Sequence, residues 1–594
     1  MISGDELLSL TLAIMRAPTS LLTMSMNDFQ INLNLPEDVT PEPIGFLNKP
    51  IQVVDLFAGP GGLGEGFTSS GEGNRFEIVI SAEKDPKAWQ TLRLRAFYRL
   101  LKKRRPDLLF EYYNFCNDPK APDTFKPSVD TEDLWDLAGE EAQCITLGSD
   151  EGNETLDNAL KKLNEKRPWV LIGGPPCQAY SIVGRARNQS KADYKAEDDP
   201  RHFLYKEYLR IIREKQPTMF VMENVKGILS SKVNNERIFS NILKDLSDPS
   251  QALPGEGAGK QYRIFSLVTG SSFGPGEDVE KIDPKAFIIR AEDYGIPQAR
   301  HRVILLGIAT DSLPASNDWV KLTSDKNTES KVSVGQVLKN LPRLRSGLSK
   351  TEDSQAGWID VVTEQLNYLK NQTDPVQTKL WSEFQDLSEA FEGSEVPVSP
   401  GAKRVKRKDA KDVGSTDSSS LDRWYLDNNL DYWLNHECRG HMPTDLRRYL
   451  FAAVYAKLER TSPKGHEGFF LEGLAPDHKN WKTGKFSDRF RVQVEDRYAT
   501  TITSHISKDG HYFIHYDPTQ CRSLSVREAA RIQTFPDNYF FQGSRTDQFH
   551  QVGNAVPPLL ASKISKVVFG LLFDKVRDYD QRFAEAAKVE ENYV

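Results

Sequence analysis

The chain has 594 residues, a formal net charge of −7 at pH 7 and a hydrophobic fraction of 38%. This length predicts two or three folded units rather than one domain. The net negative charge excludes a uniformly basic nucleic-acid binder but not a local basic cleft, because binding depends on how charge is distributed. No stretch reaches the roughly 20 apolar residues of a membrane span, so we expect no membrane partner.

The cysteines and the N-terminal run bear on the cellular compartment. The five cysteines are Cys116, Cys144, Cys177, Cys438 and Cys521. They show no paired spacing, which favours a reducing, cytoplasmic compartment. The short apolar run LLSLTLAIM follows acidic residues and predicts an accessory helix rather than a secretion signal.

The first chemical signal is a glycine-rich turn after a predicted strand at residues 51–56. The glycines are Gly59, Gly61, Gly62, Gly64 and Gly66. A strand that turns tightly into a helix is typical of a nucleotide-like ligand site, although the spacing is not the dinucleotide GxGxxG. Phe57, inside the turn, is placed to cover an adenine-type ring. A second apolar run, 76–82, ends at Glu83, which is placed to accept hydrogen bonds from ribose hydroxyls.

The second signal is the run GGPPCQAYS at residues 173–181. Residues 169–172 predict a buried strand, which the glycines and prolines must end because proline cannot continue the ladder. Cys177 therefore lies at a stiff junction between strand and loop. A nucleophile held there loses little conformational entropy when the substrate binds. A buried structural cysteine is the alternative.

A carboxylate follows another predicted strand. Residues 219–222 are apolar and lead directly to Glu223. Glu223 and Cys177 would then line the same edge of the sheet. A surface acid after a strand is the alternative for Glu223.

Six blocks, in this order, resemble the motifs of DNA (cytosine-5) methyltransferases. They are DLFAGPGGLGEGF, GGPPCQAYS, ENVKG at 223–227, QARHR at 298–302, RSLSVREAARIQTFP at 522–536 and GNAVPP at 553–558. The blocks frame most of residues 51–570. The resemblance implies an α/β fold: a Rossmann-like class I methyltransferase domain with a mixed, mostly parallel sheet, and a second, α+β target recognition domain.

The resemblance also implies the activity, which is transfer of methyl from S-adenosylmethionine to carbon 5 of cytosine in a specific double-stranded DNA sequence. The chain would be a bacterial modification enzyme paired with a restriction endonuclease, or a solitary methylase, and we expect a cytoplasmic, nucleoid-associated monomer. A tRNA cytosine-5 methyltransferase and a catalytically silent DNA-binding module are the alternatives. The sequence PPCQAYS and the long recognition region favour DNA.

The chemistry assigns roles to four residues. Carbon 5 of cytosine is a poor nucleophile, so addition of the Cys177 thiolate to carbon 6 would activate it as an enamine. A free thiol with a pKa of about 8.5 needs help to ionise, and Arg300 and Arg302 are the nearest candidates for a positive field. In the family the second arginine of this cluster reaches the base carbonyl, which maps to Arg302. Glu223 would give general acid assistance at ring nitrogen 3.

The cofactor and DNA contacts come from the same blocks. The cofactor-binding residues we predict are Asp55, Phe57, Gly59, Pro60, Gly61, Gly62, Glu83 and Asn554. An acid at the end of the third strand is not clear, and Asp150 lies near the expected place. The cytosine must leave the duplex stack to be reached. Arg185 and Arg187, in the loop after the nucleophile, are predicted to contact phosphates, and Gln298 is also predicted to contact DNA.

The blocks also suggest a domain plan. We expect an N-terminal extension at 1–50, a catalytic domain at 51–310, a target recognition domain at 311–500 and a C-terminal return to the catalytic domain at 501–594. An acidic insertion spans about 118–158. Residues 396–420, which include KRVKRK, have the composition of a flexible linker.

Three further patterns lie between 436 and 517. His436, Cys438 and His441 lack a fourth partner, so we predict no metal site. A helix is predicted after Pro443, with arginines that could meet the duplex. Two alternating runs around residues 508–510 predict a hairpin.

Overall fold

The computed structural model describes residues 49–176, 204–233, 236–253, 259–313, 321–323, 331–374, 379–393, 395–408, 414–416, 418–477, 481 and 489–573. All of them belong to the second of two compact units, residues 49–594, and the first unit, residues 1–48, lies outside them.

The strands are β1 (Ile51–Leu56), β2 (Phe76–Glu83), β3 (Ala142–Cys144), β4 (Trp169–Gly173), β5 (Met219–Val225), β6 (Lys232–Val233), β7 (Glu236–Arg237), β8 (Tyr262–Ser266), β9 (Ser272–Phe273), β10 (Ile288–Arg290), β11 (Gln298–Ala299), β12 (His301–Ala309), β13 (Gly347–Leu348), β14 (Gly401–Lys406), β15 (Tyr432–Glu437), β16 (Gly440–His441) and β17 (Ala499–Thr500). The helices are α1 (Gly62–Thr68), α2 (Pro86–Arg104), α3 (Phe110–Asn117), α4 (Glu132–Glu141), α5 (Asp150–Leu160), α6 (Leu204–Lys215), α7 (Ile238–Ser247), α8 (Pro249–Ala252), α9 (Val334–Leu338), α10 (Gln355–Lys370), α11 (Lys379–Glu392), α12 (Ser419–Tyr425), α13 (Pro443–Glu459), α14 (Gly465–Gly468), α15 (Val526–Ile532), α16 (Arg545–Asn554) and α17 (558–573).

One large sheet carries the order β3-β2-β1-β4-β5-β12-β8-β9, with β10 also paired to β12. The first five strands are parallel, and β12 runs antiparallel to both β5 and β8. This mixed, mostly parallel sheet with helices confirms the predicted α/β class. The four strands predicted from apolar runs form β1, β2, β4 and β5.

Alternating side chains of the central strands supply two cores, one on each face of the sheet. In β1, Val54 and Leu56 pack into one core, while Ile51 and Val53 pack into the other. The second core also contains the buried residues of α17. Parallel strands that are buried on both faces have continuous apolar sequences. The positions of these strands could therefore be predicted from the sequence.

Among the described residues, one continuous stretch, Arg545–Phe573, is long and apolar enough for a membrane span. However, 61% of its most apolar window is buried inside the protein. Leu560, Ile564 and Val568 share the core cluster of Val53 and Phe67. We therefore interpret α17 as a core helix.

The region after the sheet mixes helices and short strands. Helices α10, α11 and α13 pack around a separate apolar core. Helix α13 begins at Pro443, as predicted, but its arginines are used internally. Arg448 donates to Asp445 Oδ1 at 3.0 Å, and the Arg447 guanidinium lies 3.7 Å from the centre of the Tyr368 ring.

Two predictions about local structure, a flexible linker and a hairpin, are wrong. The supposed linker contains β14, which pairs antiparallel with β15, and Arg404 of this strand lies buried between the rings of Phe115 and Phe540. The acidic insertion expected at about 118–158 stays a prediction, and it contains β3, an edge strand of the main sheet. No hairpin forms among the described residues around 508–510, because β17 pairs instead with β11.

Candidate active site

The candidate site lies where the strand order of the sheet reverses. Strands β1 and β4 are neighbours, and the chain proceeds from them toward opposite edges. In open α/β sheets, ligands bind at the carboxyl ends of the strands at such a point. Leu56 pairs in register with Gly173. The glycine turn after β1 and the GGPP run after β4 therefore start at the same sheet edge.

The turn after β1 has an unusual backbone. Phe57, Gly59 and Gly61 have φ angles of 58°, 59° and 94°, in the region that favours glycine. A Cβ at Gly61 would come within 2.8 Å of Leu92 Cδ1, so that position is closed. A Cβ at Gly59 would meet no atom of the described residues within 4 Å. Gly59 thus borders open space.

Glu83, at the end of β2, holds this turn. Its Oε2 accepts a hydrogen bond from the Gly59 amide at 2.8 Å, and its Oε1 accepts one from the Asp85 amide at 2.7 Å. Burial raises the pKa of Glu83, and these two hydrogen bonds act against that rise. Each carboxylate oxygen has a second lone pair, so Glu83 can still accept from a hydroxyl group.

Asp55 lies fully buried in β1. Neither of its carboxylate oxygens has a hydrogen-bond partner among the described residues. Burial raises its pKa to about 8, although Arg99 acts against the rise. The buried carboxyl group of Asp55, the open space at Gly59 and the carboxylate of Glu83 together fit a ligand that carries hydroxyl groups.

The C-terminal segment reaches the same turn. A Cβ at Gly62 would come within 2.2 Å of the Val556 carbonyl oxygen, and one at Gly66 within 2.3 Å of Ala561 Cβ. Helix α17 and the residues just before it therefore pack against the glycine-rich segment. Asn554, at the end of α16, is exposed, and its amide nitrogen lies 3.3 Å from the His550 ring.

An ion pair lies among the predicted catalytic residues at this edge of the sheet. Arg302 Nε lies 2.8 Å from Glu223 Oε1, and the two side chains are 15% and 13% exposed. They share one sheet face because Ile304 pairs in register with Glu223, and Arg302 stands two residues earlier in β12.

The GGPP run lies against this pair. A Cβ at Gly174 would come 3.1 Å from Glu223 Oε2, and Asn224 Nδ2 donates to the Pro175 carbonyl at 3.3 Å. Asn224 was missed in the sequence analysis, although its place directly after Glu223 was a signal. Cys177, Arg185 and Arg187 lie outside the described residues, so their roles stay predictions.

Gln298 and Arg300 are buried. The Gln298 amide nitrogen donates to the Ile532 carbonyl at 3.0 Å, so a contact of this side chain with DNA remains a prediction without support from its surroundings. Arg300 Nη1 donates to the carbonyls of Ile502 and Gly553 at 2.8 and 3.3 Å. Burial lowers the pKa of Arg300, and neighbouring Arg302 lowers it further. The role of Arg300 as a positive charge that helps the Cys177 thiol to ionise also stays a prediction.

One group of side chains among the described residues could hold a metal by distance alone. The ligand atoms of His441, Asp445 and His511 lie within 4.8 Å of one another. However, Asp445 accepts from Arg448 at 3.0 Å, and His511 Nδ1 is 2.7 Å from Tyr449 Oη. A guanidinium so close would repel a cation, and we assign no metal to the group.

The comparison with known proteins decides the family. The family model for C-5 cytosine-specific DNA methylases matches residues 51–102, 148–249 and 283–570. The chain belongs to this family. The methylase is therefore an enzyme that acts on cytosine carbon 5 in DNA, and its family implies dependence on S-adenosylmethionine.

Curated relatives of the methylase extend over most of its length. Type II methyltransferase M.Bpa9945I of Bacillus paralicheniformis is 30% identical over 87% of this chain and 98% of the relative. DNA (cytosine-5-)-methyltransferase M.ApeKI of Aeropyrum pernix is 25% identical over 87% of this chain and 98% of the relative. A solved structure of a putative DNA modification methyltransferase from an E. coli prophage is 21% identical, with a TM-score of 0.43, over 88% of this chain and 99% of that chain.

Proposed function

We propose that this methylase modifies carbon 5 of one cytosine within a specific double-stranded DNA sequence, through a covalent Cys177 adduct on a base turned out of the duplex. The observation that carries the proposal is the Glu223–Arg302 pair. Glu223 of this pair lies against Gly174, and its neighbour Asn224 donates to the Pro175 carbonyl, two residues before the nucleophile in the chain.

The cofactor side of the proposal uses the turn after β1. Glu83 would accept from the ribose hydroxyls, Phe57 would cover the adenine, and Asp55, Pro60, Gly61, Gly62 and Asn554 complete the predicted contacts. Bound S-adenosylmethionine supplies an electrophilic methyl group. The open space beside Gly59 supports a nucleoside at this place.

On the base side, the Cys177 sulfur forms a bond to carbon 6 and makes carbon 5 nucleophilic. Arg302 holds the base carbonyl, and Glu223 shares a proton with ring nitrogen 3, which is worth about 100-fold to 10,000-fold in rate. Carbon 5 would then attack the methyl group, whose bond to the cofactor sulfur would break and leave a neutral thioether. Finally the carbon 5 proton leaves to water and the thiolate is expelled from carbon 6. Arg185 and Arg187 contact phosphates beside the vacated base.

The biological setting is also a proposal. The relative M.Bpa9945I is a type II methyltransferase, and M.ApeKI is a DNA (cytosine-5-)-methyltransferase. We propose that the chain is a cytoplasmic monomer that serves either as the modification partner of a restriction endonuclease or as a solitary methylase. An RNA substrate is not favoured by these relatives.

The test is base-resolution cytosine methylation sequencing of DNA from a methylation-free host that expresses the chain. We expect methylation at one short motif, and none in the Cys177→Ser variant. Unmethylated DNA from the wild type, purified folded and able to bind S-adenosylmethionine, would contradict the DNA substrate. Full methylation by Cys177→Ser would contradict the covalent step.

A further inference from the structure

We propose that Tyr539 is a positioning residue for the cofactor turn, residues 57–61, and that its hydroxyl fixes this turn in the form that accepts the nucleoside. The inference rests on the proposed function, because it assumes that S-adenosylmethionine binds at the turn. It adds a residue from a distant part of the chain, between α15 and α16, to the cofactor site.

The Tyr539 side chain ends directly on the turn. Tyr539 is 1% exposed, and its hydroxyl donates a hydrogen bond to the Pro60 carbonyl. A Cβ at Gly61 would come 2.9 Å from the same hydroxyl oxygen. Burial raises the pKa of Tyr539 above its usual value, so the hydroxyl stays protonated and remains a donor. The contact is therefore tight on the Pro60 and Gly61 side of the turn.

The turn needs such a tie because its backbone is unfavourable on its own. Phe57 carries a side chain at a φ of 58°, and positive φ at Gly59 and Gly61 follows within four residues. The amides of Ala58 and Gly59 are held from β2, by the Ala82 carbonyl at 3.1 Å and by Glu83. Tyr539 acts on the opposite end of the turn, where Pro60 offers a carbonyl but no N–H.

Tyr539 is itself rigidly placed. Its ring centre lies 4.8 Å from that of Phe535 and 5.3 Å from that of Phe541, and the Arg95 guanidinium lies 4.9 Å from the ring. Arg95 also donates to Glu65 of α1 at 2.6 Å. Because the Tyr539 side chain is packed on three sides, it can hold the turn in place and loses little further rotamer entropy when the ligand binds.

The same segment is joined to the region beyond the sheet. The Phe541 amide donates to Asn435 Oδ1 at 2.9 Å, and Asn435 lies in β15. Tyr539 thus connects the cofactor turn with a strand of the predicted recognition domain. We therefore expect a substitution of Tyr539 to change the affinity for the cofactor and not the rate of the chemical step.

The test compares Tyr539→Phe with Tyr262→Phe. Tyr262 is a matched control because its buried hydroxyl also donates to a proline carbonyl, that of Pro217 at 3.0 Å, in a part of the sheet away from the turn. Calorimetric titration with S-adenosylmethionine, without DNA, should show a Kd about 3-fold to 10-fold higher for Tyr539→Phe, as expected for one lost hydrogen bond. Tyr262→Phe should keep the wild-type Kd.

Kinetics and melting separate positioning from folding. We expect Tyr539→Phe to raise KM for S-adenosylmethionine while kcat stays within about twofold, since the reacting groups are untouched. An unchanged Kd together with a melting temperature lowered as in Tyr262→Phe would overturn the inference. Failure of the wild type itself to bind S-adenosylmethionine would instead overturn the proposed cofactor site.

Discussion

Glu223 and Arg302 form an ion pair across antiparallel strands, with Glu223 Oε1 2.8 Å from Arg302 Nε. Both side chains are mostly buried, so each charge depends on the other for its solvation. The pair lies at the edge where the GGPP run ends. In the mechanism that we propose, the carboxylate that shares a proton with the base and the guanidinium that holds its carbonyl are thus placed together before any substrate arrives, which lowers the cost of arranging them in the transition state.

Replacing Glu223 by Gln should slow methylation by about 100-fold or more, because the amide keeps the shape of the side chain but cannot share a proton with the base. The rate of methyl transfer in a single turnover, measured with labelled cofactor and DNA of the identified motif, tests this. The Kd for S-adenosylmethionine should stay within about twofold.

The matched control is Glu277→Gln. Glu277 Oε1 lies 2.6 Å from Arg263 Nη2, so this variant also removes one carboxylate from an arginine pair, in which the arginine belongs to β8 of the same sheet. Its single-turnover rate should equal that of the wild type. Equal rates for Glu223→Gln and Glu277→Gln would remove Glu223 from the mechanism.

Gly59 and Gly276 separate ligand contact from backbone strain. Both have positive φ, 59° and 76°, and an added Cβ at either would meet no atom of the described residues within 4 Å. Changing either to Ala should cost a similar stability, about 1–2 kcal/mol, because an L-residue is disfavoured at that φ. Only Gly59→Ala should also weaken S-adenosylmethionine binding, by about tenfold or more, because its methyl group fills the ligand space. Equal Kd values for the two variants would show that the cofactor does not approach Gly59.

Glu83→Ala should weaken cofactor binding more than it slows the chemical step. It removes the predicted ribose acceptor and the hydrogen bond to the Gly59 amide, and we expect a Kd about tenfold higher. Titration with S-adenosylmethionine measures the Kd, and the single-turnover rate at saturating cofactor measures the chemistry. An unchanged Kd would exclude the ribose assignment.

The sequence was most informative where a short segment decides its own structure. Residues 51–56 and 169–172 are apolar runs closed by glycine or proline, so their strands and the sheet edge where they end could be predicted. The position of Glu223 at the end of a strand could be predicted in the same way, because it follows the apolar run 219–222. The prediction that these residues share an edge needed only the rule that parallel strands point the same way.

The sequence was least informative where a partner lies far along the chain. Arg404 looks solvated within KRVKRK, yet the rings of Phe115 and Phe540 enclose its guanidinium. Gln298 looks like a surface amide, yet the Ile532 carbonyl accepts from it inside the protein. No local sequence pattern indicates such contacts. A long polar side chain buries its aliphatic part or its polar group only when the tertiary structure supplies a partner.

Acid should destabilise the protein through buried His436. Its Nδ1 is 2.9 Å from Ser525 Oγ and its Nε2 is 3.0 Å from the Pro342 carbonyl, an arrangement that fits a neutral ring. Burial lowers its pKa from 6.5 to about 4. Below pH 6.5 the unfolded chain binds the proton first, so this stabilisation is complete above pH 6.5 and is lost as pH falls toward 4. The free energy of unfolding should fall by about 1 kcal/mol from this group between pH 7.5 and 5.5.

Urea unfolding at several pH values checks this, with His436→Gln beside the wild type. The variant is less stable at pH 7.5 because its two buried partners lose their hydrogen bonds, but its stability should fall less steeply between pH 7.5 and 5.5. His466→Gln, which removes an exposed histidine, should keep the wild-type slope. Buried His515, whose pKa is also lowered to about 4, should leave a residual slope in His436→Gln. Identical slopes for His436→Gln and the wild type would mean that His436 takes up its proton in the folded protein as readily as in the unfolded chain.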